Sequence, residues 1–206
     1  MKSEGYKKLL DFFESMGKER LDGIDNSFFK EMSEDEKSEA FLFLKEKIHR
    51  GSDEAIRGLW ILSEQKAYPE LKSRYDYLEK KDKMHQQMLT LAYYLYLYGK
   101  EEKYQLNITS FLHDDDKYVR LSALSFLNQT EKTDVVLAEL ENVFLNDNDA
   151  NVSYSACRQL LEGYGISKGD PATENVYKKH IAEFLSSDRV KRNDALKWLK
   201  TNFTPL

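Results

Sequence analysis

The sequence predicts an all-α fold made of stacked helical hairpins, and three observations support this prediction. Apolar residues recur at helical spacing along most of the 206-residue chain. Only nine Gly and three Pro interrupt them. A two-helix unit also occurs twice, at 104–127 and 136–160, with Phe-Leu, an acidic turn, Val, Ala and Leu recurring about 33 residues apart, which is a spacing typical of stacked helical repeats.

The first half of the chain contains clear helix signals in order. Apolar spacing from Ser3 to Met16 predicts a helix that caps the open end of the stack, and the connector at 23–31 has room for one helical turn. Ser33 and Glu36 have the spacing of a capping box, which predicts the start of the first outer helix. Asp53 begins its inner partner.

The second half continues the pattern and then loses its period. Pro69 is predicted at the first position of the next outer helix, and the partner of that helix runs from near Asp82 to Gly99. The two similar units follow. A turn-rich loop at 163–171 then precedes a final pair of helices at 176–199.

Two sets of aligned positions give nearly the same period. The inner helices align at intervals of 32, 31 and 33 residues, and the outer helices at 34, 33 and 40. We therefore predict a single domain over 1–206, with an N-terminal cap at 1–32 and about five hairpins at 33–203. The inner positions are Ile56, Met88, Val119 and Val152, and the outer positions are Tyr77-Leu78, Phe111-Leu112, Phe144-Leu145 and Phe184-Leu185.

The helix after the first acidic turn carries the pattern Asp-x-x-Val-Arg-x-x-Ala-x-x-x-Leu, at Asp116, Val119, Arg120, Ala123 and Leu127. This pattern resembles the second helix of a HEAT repeat. Other copies depart from it, since Ser153 stands where the first copy has Arg120 and Lys191 stands where an apolar residue belongs. The resemblance implies a right-handed α-α superhelix whose inner helices line a concave face, and it implies a role in protein binding.

Composition and charge narrow the location and the partners. The net charge is −5 and the pI is near 5.5, so the chain has no overall attraction for a phosphate backbone, and a basic protein partner is favoured. No apolar run reaches the roughly 20 residues that a membrane span needs, and the N-terminus lacks the apolar core of a signal peptide. The single Cys157 excludes an internal disulfide. We therefore expect a cytoplasmic location and no membrane partner.

Candidate chemical sites have simpler interpretations. The run from His113 to Asp116 resembles a metal site, but acidic residues recur at equivalent turns, where they can cap the next helix. The segment 147–151 imitates a calcium loop, although Val152 replaces the required Gly. Cys157 falls on the buried side of its helix, as a core thiol would. We expect no catalytic residues, no metal and no cofactor, and so no enzymatic activity.

A candidate binding surface remains on the inner helices. Positions furthest from the apolar residues carry Tyr, Leu, Arg, Gln and Asn, a composition enriched at binding hot spots, whereas solvated helices usually carry Lys or Glu there. The alternative is that these tyrosines pack between neighbouring inner helices with only their hydroxyls in solvent. The predicted partner-binding residues are Gln87, Thr90, Tyr94, Tyr118, Leu121, Tyr154 and Arg158.

Two classes of function follow. The first is a non-enzymatic protein-binding scaffold, with an inhibitor or immunity protein that sequesters a protein partner as its narrower form. The second is a DNA glycosylase of the HEAT-like type or another nucleic-acid-binding protein. That class needs a basic groove along the phosphates. The sequence offers only four regularly placed basic residues on inner helices, Arg57, Arg120, Arg158 and Arg192.

Overall fold

The computed structural model describes residues 2–15, 23–81, 86–186 and 188–206. Within these ranges the chain forms eleven α-helices and no strand, which confirms the all-α class. Among the same residues, no helix is both long enough and apolar enough to cross a bilayer. The contacts divide the chain into two compact units, unit 1 at Met1–Glu101 and unit 2 at Glu102–Leu206. The single repeat domain over 1–206 stays a prediction.

Unit 1 begins with α1 and a short 3₁₀ turn, followed by two helical hairpins. Ser3 caps α1 and Ser33 caps α2, where the predicted capping box with Glu36 is present. The connector has the expected helical turn at Asn26–Phe28. The predicted end of the first helix at Met16 and the start near Asp82 lie outside the described residues. The helices are α1 Glu4–Glu14, α2 Glu34–His49, α3 Asp53–Leu62, α4 Glu64–Glu79 and α5 Gln86–Gly99.

The core of unit 1 forms where α2 pairs with α3, α4 pairs with α5, and α3 lies beside α5. Leu44, Ile56, Leu71 and Leu91 are fully buried, as the apolar spacing predicts. Helix α1 approaches the 3₁₀ turn so closely that a Cβ on Gly5 would lie 2.3 Å from the Phe28 carbonyl oxygen. Only glycine fits at that contact.

The prediction that Pro69 opens a helix is wrong. Helix α4 begins at Glu64, because the Ser63 hydroxyl accepts from the Lys66 N–H, and it continues through Pro69. Proline has a helical φ, so the helix continues at the cost of one backbone hydrogen bond. The buried Ala67 packs the extra turn against the core.

The described residues of unit 2 form six helices, and aspartates cap three of them. Side chains of Asp116, Asp149 and Asp188 accept from backbone N–H groups at the starts of α7, α9 and α11, which confirms the capping interpretation of the acidic turns. The helices are α6 Glu102–Ser110, α7 Lys117–Leu127, α8 Asp134–Asn146, α9 Ala150–Gly163, α10 Glu174–Phe184 and α11 Arg189–Asn202, with a 3₁₀ turn at Phe111–His113.

The two similar units pack as the repeat predicts. Helices α6 and α8 lie together, as do α7 and α9. Val119 and Val152 are buried at matched positions, and so are Phe111 and Phe144. The Gln159 amide also donates to the Leu124 carbonyl at 2.7 Å, which ties α9 to α7.

The final pair contacts α8 through both of its helices. The Phe184 ring of α10 lies 5.8 Å from the Phe144 ring, centre to centre, so these two aligned outer positions are in contact, and α11 also lies on α8. Lys200 pairs with Glu141 of α8 at 2.6 Å. On α10, Tyr177 lies near Tyr154 of α9.

Candidate partner-binding surface

Helix α7 presents two of the predicted binding residues at its solvent side. The Tyr118 side chain is 68% exposed, and Leu121 is half-buried. The Lys117 ammonium lies 5.4 Å from the centre of the Tyr118 ring and pairs with Asp149 at 3.1 Å. This ion pair raises the pKa of Lys117, with its hydrogen bond to Asp149 as the main cause, and it holds a cation beside an exposed ring.

Helix α9 lies against α7 and presents two more. Tyr154 is 44% exposed and stands at the position of its helix that matches Leu121 in α7. Arg158 is exposed and forms a loose pair with Glu162 at 3.6 Å. Burial raises the pKa of the nearby Tyr177 of α10, and Tyr154 contributes to the same rise. We name Tyr118, Leu121, Tyr154 and Arg158 the tyrosine face of unit 2.

Thr90 and Tyr94 of α5 belong to unit 1 and are less accessible. Both side chains are half-buried. The Tyr94 ring packs 5.3 Å from Trp60 and 5.1 Å from Tyr93, centre to centre. Burial raises the pKa of Tyr94 to about 12, against the opposing charge of Arg57. Tyr94 therefore matches the packed alternative more closely than Tyr118 and Tyr154 do.

The prediction that Gln87 faces solvent is wrong. Its side chain is 1% exposed. The amide donates to the Ile48 carbonyl at 2.9 Å and accepts from Arg74 Nε at 3.0 Å, so Gln87 joins α2, α4 and α5. Eight of the fourteen residues of α5 are buried, and a helix covered on most of its circumference has no outward position next to Met88.

The sequence interpretation missed an arrangement of two arginines around the α8–α9 turn. The guanidinium of Arg120 holds both carboxylate oxygens of Asp147, at 2.7 and 3.1 Å. From the other side, Arg192 of α11 donates to the Phe144 carbonyl at 2.7 Å and to Ser153 Oγ at 2.9 Å. The available signal was the arginine that recurs four residues after the capping Asp in α7 and α11.

The residues with catalytic potential lie apart from one another. Burial raises the pKa of the Cys157 thiol to about 12, so the thiol is protonated at neutral pH. His113 pairs with Glu139 at 2.9 Å, and the His180 ring stacks on Trp198 with centres 3.7 Å apart. Across the described ranges, no three His, Cys, Asp or Glu side chains gather where they would hold a metal ion.

Adjacent helices therefore present exposed aromatic rings, an aliphatic side chain and guanidinium groups. Such groups suit noncovalent contact with another molecule. Comparison with protein-family models, curated proteins and solved structures finds no match to this chain. The resemblance to HEAT repeats accordingly depends on the residues of the chain alone.

Proposed function

We propose that this protein is a non-enzymatic scaffold that binds a protein partner through the tyrosine face of unit 2. The observation that carries the proposal is the exposure of Tyr118 and Tyr154, at 68% and 44%, on two helices that pack side by side. Tyrosine offers a large contact area with few rotatable bonds, and Tyr and Arg are enriched among the residues that dominate binding energy. In the full form of the proposal, the hairpins build a right-handed HEAT-like superhelix.

The charges around this face suit a partner of mixed polarity. Lys117 and Arg158 each have a carboxylate neighbour, Asp149 and Glu162, so the rim offers both signs of charge. A rim of paired charges favours specificity and orientation over raw affinity. The narrower proposal, an inhibitor or immunity protein, adds that the bound partner loses its activity.

The test is a pull-down from native cell extract with the full chain as bait. Tyr118→Ala combined with Tyr154→Ala should reduce recovery of the partner at least tenfold, since truncating a hot-spot aromatic costs about 2 kcal/mol or more. Tyr77→Ala is the matched control, because Tyr77 is 52% exposed on α4 of unit 1. Circular dichroism should be the same for all three proteins.

Unchanged recovery with the double variant would remove the proposal. Loss with the Tyr77→Ala control as well would indicate nonspecific adhesion. Binding of duplex DNA that weakens steeply with salt would instead favour the nucleic-acid class.

A further inference from the structure

A cleft of about 330 Å³ opens in unit 2 between the α8–α9 turn and the α10–α11 turn. Its walls combine apolar and polar side chains, among them Tyr154, Leu185, Ser153, Asp147 and Arg192. Tyr154 belongs both to this cleft and to the tyrosine face. A partner that covers Tyr154 would therefore also reach the cleft.

Arg192 brings to this cleft a cation that forms no ion pair among the described residues. Its Nη1 donates to two neutral acceptors, the Phe144 carbonyl and Ser153 Oγ, and its Cζ lies 5.7 Å from the centre of the Phe144 ring. Among the described residues, no carboxylate pairs with Arg192 within 4.0 Å, and the buried Nε has no hydrogen-bond partner. Arg192 is half-buried and its Nε lies away from solvent, so its charge is partly desolvated without a counter-charge, and an anion that entered the cleft would stabilise it.

Arg120 shows how the same unit satisfies such a group. Its side chain is 14% exposed, and its Nη1 donates to the Asp114 and Asp115 carbonyls at 2.8 and 3.1 Å. Its Nε and Nη2 bind both oxygens of Asp147. Like Arg120, Arg192 donates from Nη1 to neutral acceptors. Unlike Arg120, it has no carboxylate among the described residues that accepts from Nε and Nη2.

We infer that the cleft is a carboxylate-binding site, in which Arg192 receives a carboxylate of the protein that covers the tyrosine face. The inference rests on the proposed function. The entering carboxylate binds Nη2, which donates to none of the described residues, and Nε, which also lacks a partner, is the second donor on that edge of the guanidinium. Asp147 also lines the cleft, but Arg120 neutralises it, so it does not repel the ligand.

The test is a titration of the ¹⁵N-labelled full chain with sodium acetate at constant ionic strength, observed at the arginine Nε–Hε resonances. The Arg192 signal should shift saturably, and the Arg120 signal should stay, because Asp147 occupies its Nε and Nη2. Arg192→Gln should abolish the saturable shift. Arg189→Gln is the matched control, since Arg189 is exposed on the same helix and donates to Asn146, and it should leave the shift intact.

An absent shift at Arg192, an equal shift at Arg120, or an equal effect of phosphate or chloride would overturn the inference. In the pull-down, Arg192→Gln should weaken partner recovery at least tenfold. If Arg192→Gln leaves recovery unchanged while the tyrosine double variant abolishes it, the carboxylate site fails and the proposed function stands. If acetate binds at Arg192 but the tyrosine variant still recovers the partner, the proposed function fails and the site stands.

Discussion

In unit 2, the α8–α9 hairpin contacts α7 on one side and α11 on the other, and we call these two contacts joints. An arginine takes part in each joint, but in a different way. At the joint with α7, Arg120 binds the Asp147 carboxylate, and both side chains are largely buried, at 14% and 7% exposed. At the joint with α11, the hydrogen bonds of Arg192 to the described residues go to the Phe144 carbonyl and the Ser153 hydroxyl. One joint is closed by a complete ion pair, whereas the other leaves a cation beside a cleft.

An arginine that recurs at equivalent sequence positions therefore need not have the same role at each of them. Bidentate contact with a carboxylate locks one hairpin to the next, because both charges satisfy each other away from water. A guanidinium with neutral partners holds its helix less strongly and keeps its charge available. We therefore expect the two joints to contribute differently to the free energy of unfolding.

The largest effect is expected for Asp147→Ala. This change leaves the Arg120 guanidinium buried without its counter-charge, and removing one partner of a buried pair costs about 3–5 kcal/mol of unfolding free energy. Urea unfolding measures the loss. Asp115→Ala is the control, because Asp115 is exposed at the preceding turn, and it should stay within about 0.5 kcal/mol of the wild type. Equal losses of unfolding free energy in the two variants would show that the Arg120–Asp147 ion pair adds no stability of its own.

A smaller effect is expected for Arg192→Met. The variant loses two hydrogen bonds but also removes an unpaired charge, and the Phe144 carbonyl keeps its bond from Ser153 Oγ at 2.8 Å. We expect a change below about 1 kcal/mol in the same urea measurement, since apolar replacement of a buried charge is often neutral. A loss as large as that of Asp147→Ala would mean that Arg192 is a structural lock and would remove the contrast between the joints.

The smallest effect concerns the pH dependence of stability at Asp149. The hydrogen bond from Lys117, followed by backbone N–H groups of Val152 and Asn151, lowers the pKa of Asp149 below its usual 3.8. Since the pKa is lower in the folded state, this contribution to stability is present above about pH 3.8 and is lost as the pH falls through the folded-state pKa.

Asp149→Asn keeps an oxygen that can cap α9 and removes the titration. The difference in unfolding free energy between wild type and variant should therefore shrink as the pH falls from 6 to 2.5. Lys117→Gln should also weaken the dependence of the unfolding free energy on pH in the acidic range, because Lys117 is the main cause of the lowered pKa of Asp149. A difference that stays constant with pH would contradict the assigned cause.

Much of the local structure could be predicted from the sequence, because its causes are local. The capping box at Ser33 and Glu36 and the aspartate cap at Asp116 depend on side chains that bond backbone groups two or three residues away. Burial of Cys157 followed from helical spacing alone. Exposure of Tyr118 and Tyr154 followed from the same spacing.

Other features depended on neighbours that helical spacing does not identify. Gln87 is buried because Ile48 and Arg74 meet it from two other helices. Tyr94 is half-buried against Trp60, although it occupies a position that the sequence places furthest from the core. In both cases the number of helices packed around α5 decided the outcome.

By itself, the sequence determined the all-α class, most helix starts and the caps of the acidic turns, since these arise from interactions within one or two turns of chain. The tertiary structure was needed to place α11 on α8, to pair Arg120 with Asp147 and to show that Arg192 pairs with no carboxylate among the described residues. The physical reason is distance along the chain: Arg192 and Phe144 are 48 residues apart.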